Sequence, residues 1–137
     1  MGIVHANIEL LNCGDIVMHR RKYIGEEEIR QVTISMMVDS GALMLAINEE
    51  IRQALGLDII DHRVSQLANG MRLELPVAGP IEVRYEGRFC TTNALVLPDD
   101  TEPLLGAIPM EEMDLWINPA RNLLTAVHPE GPIMSLK

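Results

Sequence analysis

Met36-Met37-Val38-Asp39-Ser40-Gly41-Ala42 sets a carboxylate at the end of a run that is apolar on both faces. Upstream, Val32, Ile34 and Met36 alternate with Thr33 and Ser35, the period of a strand with one covered face. At Met37 and Val38 the alternation gives way to continuous apolar residues, which is how a strand reads as it enters a core. A carboxylate placed there is costly to bury unless something pairs with it. Asp-Ser-Gly is also a common turn at a strand end, so the tripeptide alone has a structural reading beside the chemical one.

The flanking segments supply the context. Leu43 to Ile47 resumes an apolar run and reads as the next strand. Asn48 is then a good helix N-cap, Glu49 and Glu50 complement the dipole of a first turn, and Gly56 stands where a left-handed C-terminal residue is wanted. Ile51, Ala54 and Leu55 share one face of this short amphipathic helix. Toward the N-terminus, Ile3 to Leu11 reads as a strand that stops at Asn12-Cys13-Gly14-Asp15. That cluster predicts a hairpin with Ile16 to Tyr23 as the return strand and Glu26 to Glu28 in an exposed connection.

Toward the C-terminus, Val64 to Leu67 and Met71 to Val77 flank Ala68-Asn69-Gly70, and Asn-Gly is a strong hairpin signal. Pro76, Gly79 and Pro80 interrupt the pattern as at a sheet edge or bend. Ile81 to Tyr85 and Phe89 to Leu97 predict a second hairpin turning at Glu86-Gly87, followed by a polar loop from Pro98 to Pro103. Leu104-Leu105-Gly106 precedes a short helical turn near Pro109, and Leu115 to Ile117 with Leu123 to Val127 predict a last hairpin. The expected organisation is one domain over 1–137, with an N-terminal hairpin to about 28, a core from about 29 to 127 and a flexible tail over 128–137.

The paired segments, Val38-Asp39-Ser40-Gly41-Ala42 and Leu104-Leu105-Gly106 before a C-terminal helix, resemble the retropepsin-like aspartic proteases. The likeness runs from about Gln31 to Val127 and is nearest the bacterial and archaeal single-domain members of clan AA. It implies an all-β chain closed into an acid-protease β-barrel, with a short helix after the Asp-Ser-Gly loop and a helical turn after Leu-Leu-Gly. It also implies that Asp39 is catalytic, that Ser40, Gly41 and Ala42 support the loop, and that Leu104, Leu105 and Gly106 lie beneath it. The family's flap falls on Gln66, Leu67, Ala68, Asn69, Gly70, Met71 and Arg72, here with a single glycine and no aromatic residue. The N-terminal stretch is longer than a minimal retropepsin requires.

Hydrolysis at such a site needs one carboxylate to take a proton from water while a second, protonated, donates to the scissile carbonyl. Carboxyls about 3 Å apart cannot both ionise and share one proton near neutrality. The remaining aspartates, Asp15, Asp58, Asp61, Asp99, Asp100 and Asp114, are not followed by Ser-Gly or Thr-Gly. The second carboxylate is therefore expected from an identical chain across a two-fold axis. The resulting expectation is a homodimeric endopeptidase acting on a peptide or protein substrate. A catalytically silent dimer that binds peptides or serves assembly is the alternative, and an unrelated β-barrel scaffold would leave the paired signatures unexplained.

Composition narrows the rest. A formal charge of -9 argues against nucleic acid, whose phosphates are bound by clustered Lys and Arg. His19-Arg20-Arg21-Lys22 is the one basic run, and Glu26 to Glu28 offset it at short range. Cys13 and Cys90 match no zinc or redox spacing, and His5, His19, His62 and His128 are scattered, so neither a metal nor a cofactor is expected. No apolar run approaches the roughly 18 residues of a membrane helix, and no signal segment is visible, so a cytoplasmic protein is expected. The nine methionines suit an adaptable core or a permissive cleft.

Overall fold

The computed structural model describes residues 2–134 and 136. Strands β1 (Val4–Asn12), β2 (Gln31–Val38), β3 (Leu45–Asn48), β4 (Asp58–Gln66), β5 (Arg72–Tyr85), β6 (Arg88–Leu97) and β7 (Leu104–Leu105) form one sheet in the order β1-β2-β7-β3-β6-β5-β4. A further antiparallel pairing of β1 with β5, from Glu9↔Arg84 to Asn12↔Ile81, brings the sheet back on itself as a ring. The all-β class that the resemblance implies holds. Strand β4 stays outside the ring and, among the described residues, pairs with β5 alone. The final hairpin, β8 (Leu115–Asn118) with β9 (Leu123–Ala126), is separate from the main sheet, and the Tyr85 hydroxyl donates to the Leu124 carbonyl at 3.0 Å.

The inward residues of every strand in the ring meet in one core. Ile8, Leu10, Met36, Leu45, Ile47, Ile81, Val83 and Leu105 have no or almost no exposed surface. Each such side chain contributes about 1.5–3 kcal/mol relative to exposure. This is how β7, only two residues long, keeps its place between β2 and β3: Leu105 anchors it from within.

Two expectations are corrected. The segment after β1 does not return as a strand; Cys13–Arg20 is a helix, α1, and a 3-10 turn follows at Glu26–Glu28. The partner of β1 is instead β2, in register from Val4↔Val38 to Leu11↔Gln31. Asn12 explains the difference, because a residue that suits a turn also suits a helix N-cap: its Oδ1 accepts from the Asp15 amide at 3.1 Å. Second, residues 72–85 run as one long strand through Pro76 and Pro80, with a register shift between Ala78 and Ile81 where a break was expected.

The helix after β3 forms as the sequence predicts. In α2 (Glu49–Leu55) Asn48 caps the Ile51 amide at 2.9 Å, and Gly56 closes the helix at φ 62. Gly56 has a second reason to be glycine: a Cβ there would sit 1.8 Å from the Arg30 guanidinium. Arg30 passes so close because Asp15 holds it, through Nε at 2.8 Å and Nη2 at 2.9 Å, while the same carboxylate accepts the Arg30 amide at 3.0 Å. The side-chain hydrogen bond with Arg30 keeps the Asp15 carboxyl below the usual range, against a burial that would raise it.

A carboxylate whose folded pKa is depressed contributes stability above its unfolded pKa and loses it as pH falls through the folded value. Asp15→Asn is therefore expected to cost about 1–2 kcal/mol at pH 7, discounted because Arg30 is half exposed. In urea melts the gap to wild type should close below about pH 4. A gap unchanged between pH 7 and pH 3 would rule out the ionic contribution.

The third helix, α3 (Ala107–Glu112), ends at Met113. The buried Arg88 donates to the carbonyls of Met113 and Asp114, both at 3.1 Å, and to that of His128. The Asp114 carboxylate also takes His128 Nδ1 at 2.6 Å and the Ile133 amide at 3.1 Å. These bonds reach into the segment expected as a flexible tail, at His128 and Ile133, while Ser135 and Lys137 lie outside the described residues. Among the described residues no helix is long and apolar enough to cross a membrane.

Candidate active site

Asp39 follows the last residue of β2 and is held from below by β7. Met37 and Val38 pair in parallel with Leu104 and Leu105, and the Asp39 amide donates to the Leu105 carbonyl at 3.0 Å. The chain then turns tightly, with the Ala42 amide on the Asp39 carbonyl at 3.1 Å and the Gly41 amide on Asp39 Oδ1 at 2.9 Å. Main chain therefore fixes one carboxylate oxygen, and Asp39 itself is half-buried.

The two sequence signatures meet at this point. The amides of Ala107 and Ile108 donate to the carbonyls of Ala42 and Leu43 at 2.7 and 2.9 Å. Gly106 makes that approach possible, since a Cβ there would lie 2.4 Å from the Met44 carbonyl oxygen and 2.8 Å from that of Leu43. Leu104 and Leu105 act as strand and core; Gly106 acts as the point of contact between the two loops.

The loop borders two depressions. One is a cleft of about 410 Å³ bordered by Gly41, Ala42 and Met44, by Arg63 to Leu67 of the β4–β5 hairpin, and by Leu95, Leu97 and Leu104. The other is a hollow of about 430 Å³ that Ser40 borders with Ala107, Met110, Glu111, Trp116 and Ile117. Ser40 is exposed, and its hydroxyl makes no hydrogen bond among the described residues. A larger depression of about 680 Å³ contains no residue of the Asp39 loop; of the charges around it Arg84 pairs with Glu82 and Glu9 at 2.5 and 3.5 Å, while Arg20 and Glu86 also border it.

The hairpin over the cleft is closed by the Leu67 amide on the Met71 carbonyl at 2.7 Å and by the Met71 amide on Asn69 Oδ1 at 2.9 Å. Of the residues assigned to the flap, Gln66 and Leu67 border the cleft, while Ala68, Asn69, Gly70, Met71 and Arg72 form the tip and return. Sequence reasoning missed Arg63, Val64, Leu75, Leu95 and Leu97. The signal for Leu95 and Leu97 was present: Ala94 to Leu97 is apolar on both faces, with Ala94 and Val96 in the core and the alternate pair toward the cleft. Nothing comparable marked Arg63. Among the described residues no group of three or more His, Cys, Asp and Glu is placed to hold a metal ion.

A ring-closed sheet with an Asp-Ser-Gly turn stitched to a Leu-Leu-Gly segment under a hairpin defines a retropepsin-like, aspartic-protease architecture. The model of the family described as aspartyl protease matches residues 26–108, more than half of the sequence. The chain belongs to that aspartyl protease family. Among solved structures it is similar to the retroviral protease-like domain of Ddi1 from Leishmania major, with a TM-score of 0.52 and 20% identity over 69% of this chain and 79% of that one. At that identity the likeness speaks for the fold alone. No curated protein matches the chain.

Proposed function

We propose that the chain is a homodimeric aspartic endopeptidase whose catalytic pair is Asp39 from each of two copies. The observation that carries this reading is the Asp39 carboxylate, fixed at one oxygen by the Gly41 amide in a loop whose Gly41 and Ala42 border an apolar cleft and its hairpin. Such a carboxylate is positioned without being neutralised by a cation. None of the ion pairs among the described residues involves it.

In the dimer, a water between the two carboxyls loses a proton to the ionised one as its oxygen attacks the scissile carbonyl. The protonated carboxyl donates to the carbonyl oxygen, giving a gem-diol; the proton taken from water then passes to the leaving amine as the carbon–nitrogen bond breaks, and a diol hydroxyl returns its proton to the other carboxylate, restoring the one-proton pair. Gly41 and Ala42 keep side-chain bulk away from the substrate side. Ser40, with no partner in its own chain among the described residues, is free to bond across the dimer axis. The hairpin centred on Asn69 and Gly70 covers the bound peptide.

A monomer with one such carboxylate has no complete site. Peptidase activity per chain is expected to fall as the protein is diluted through its dimer dissociation constant, tracked by sedimentation at the same concentrations. Activity that is independent of dilution in a monomeric sample would overturn the two-chain site. A dimer that binds peptides and cuts none would favour the silent binding module.

A further inference from the structure

The cleft beside the Asp39 loop is walled by uncharged side chains, Met44, Val64, Leu67, Leu75 and Leu97 among them, and among the described residues the one charge on its border is Arg63. Arg63 lies on β4 opposite Leu75 of β5, and its Nη1 approaches the Met44 sulfur at 3.2 Å. A thioether is a weak acceptor, so a guanidinium with five donors is left largely unused by the protein. Among the described residues no carboxylate pairs with Arg63. Arg30 pairs with Asp15, Arg52 with Glu49, Arg84 with Glu82 and Arg88 with Asp114, and among the described residues Arg20, Arg21, Arg72 and Arg121 make no ion pair either; what sets Arg63 apart is its place on the border of the cleft. In a chain with 20 acidic and 11 basic residues, carboxylates are plentiful, and this arginine stands over a cleft without one.

We propose that Arg63 makes the cleft select peptides that carry a carboxylate next to an aliphatic side chain. The aliphatic group packs among Met44, Leu75 and Leu97, where the unbranched, polarizable Met44 adapts to its shape. The carboxylate takes the fork of the guanidinium, a geometry that favours two parallel hydrogen bonds and that lysine would not reproduce. The same chemistry is offered by a Glu or Asp side chain and by a free peptide C-terminus. The inference rests on the peptide-binding reading of the cleft and holds whether or not the bound peptide is cut.

The test uses the full chain and short peptides with a reduced, uncleavable central bond, carrying Leu-Glu or Leu-Gln, each with a free or an amidated C-terminus. Binding is read by fluorescence anisotropy and by methyl NMR of labelled methionines, the Met44 signal being assigned with Met44→Leu. The amidated Leu-Glu peptide is expected to bind about ten-fold more tightly than its Leu-Gln counterpart and to move the Met44 resonance. Raised salt should shrink that preference. Arg63→Gln should erase it, the amidated Leu-Glu and Leu-Gln peptides then binding alike. A preference seen only with free C-termini identifies the terminus as the carboxylate.

Equal binding of all the peptides, binding of none, an equal loss of all in Arg63→Gln, or an effect of that substitution on self-association alone overturns the proposal. Charge selection without cleavage of the ordinary peptide bond would leave this inference standing and remove the peptidase reading. Cleavage without charge selection would do the reverse.

Discussion

Asp39→Asn is expected to slow peptide hydrolysis by about 1,000-fold or more, the scale set by losing a positioned acid–base group. The amide is nearly isosteric with the carboxylate, and its oxygen can still accept the Gly41 amide that now lies 2.9 Å from Asp39 Oδ1. Fold and self-association should therefore be unchanged by circular dichroism and sedimentation. Because each site takes one aspartate from each chain, the substituted chain should also act as a poison. With nine substituted chains for each wild-type chain and free exchange, activity per wild-type chain should fall to about a tenth. Wild-type rates from purified Asp39→Asn protein would end the catalytic assignment, and activity indifferent to the excess would end the shared site.

Much of the fold could be read from local patterns, because strands with one covered face declare themselves by alternation and helix ends by their caps. β2, α2 and the hairpins at Asn69-Gly70 and Glu86-Gly87 follow from such signals, and the structure has them where they were expected. The N-terminal segment misled for a physical reason. Asn12 serves turns and caps alike, and what selects the helix is a long-range set of partners: Asp15 with Arg30, and Asn12 Nδ2 on the Leu55 carbonyl at 2.8 Å. No local pattern reports those contacts. The continuous β5 is a similar case, since pairing with β4 on one side and β6 on the other carries the strand through prolines that would otherwise end it.

The site divides along the same line. Asp39 stands out because a carboxylate sits where an apolar strand ends, whereas the Leu104-Leu105-Gly106 segment is picked out by its resemblance to the family's second signature. The cleft walls do not stand out, because Arg63, Leu75, Leu95 and Leu97 are ordinary strand residues whose shared surface exists only once β4, β5 and β6 are laid side by side.

The largest expected loss of stability falls on Gly106, not on the glycine of the Asp-Ser-Gly turn. A Cβ at Gly41 would meet only Asp39 Oδ1, at 3.1 Å, and that oxygen belongs to a side chain that can shift. A Cβ at Gly106 would meet main chain, the carbonyls of Met44 and Leu43, at 2.4 and 2.8 Å, so one of the two loops has to move. Moving either breaks the bonds from the Ala107 and Ile108 amides to Ala42 and Leu43 and loosens β7, whose Leu105 is fully buried. Overpacking of about 1–3 kcal/mol and two lost hydrogen bonds of about 1 kcal/mol each give about 3–5 kcal/mol for Gly106→Ala. That is a large part of the 5–15 kcal/mol typical of a domain and corresponds to a fall in Tm of about 10–20 °C. Gly41→Ala should stay within a few degrees of wild type while disturbing the carboxylate. Calorimetry that finds Gly106→Ala as heat-stable as wild type would mean that the two signatures are not held together by main-chain contact at that glycine.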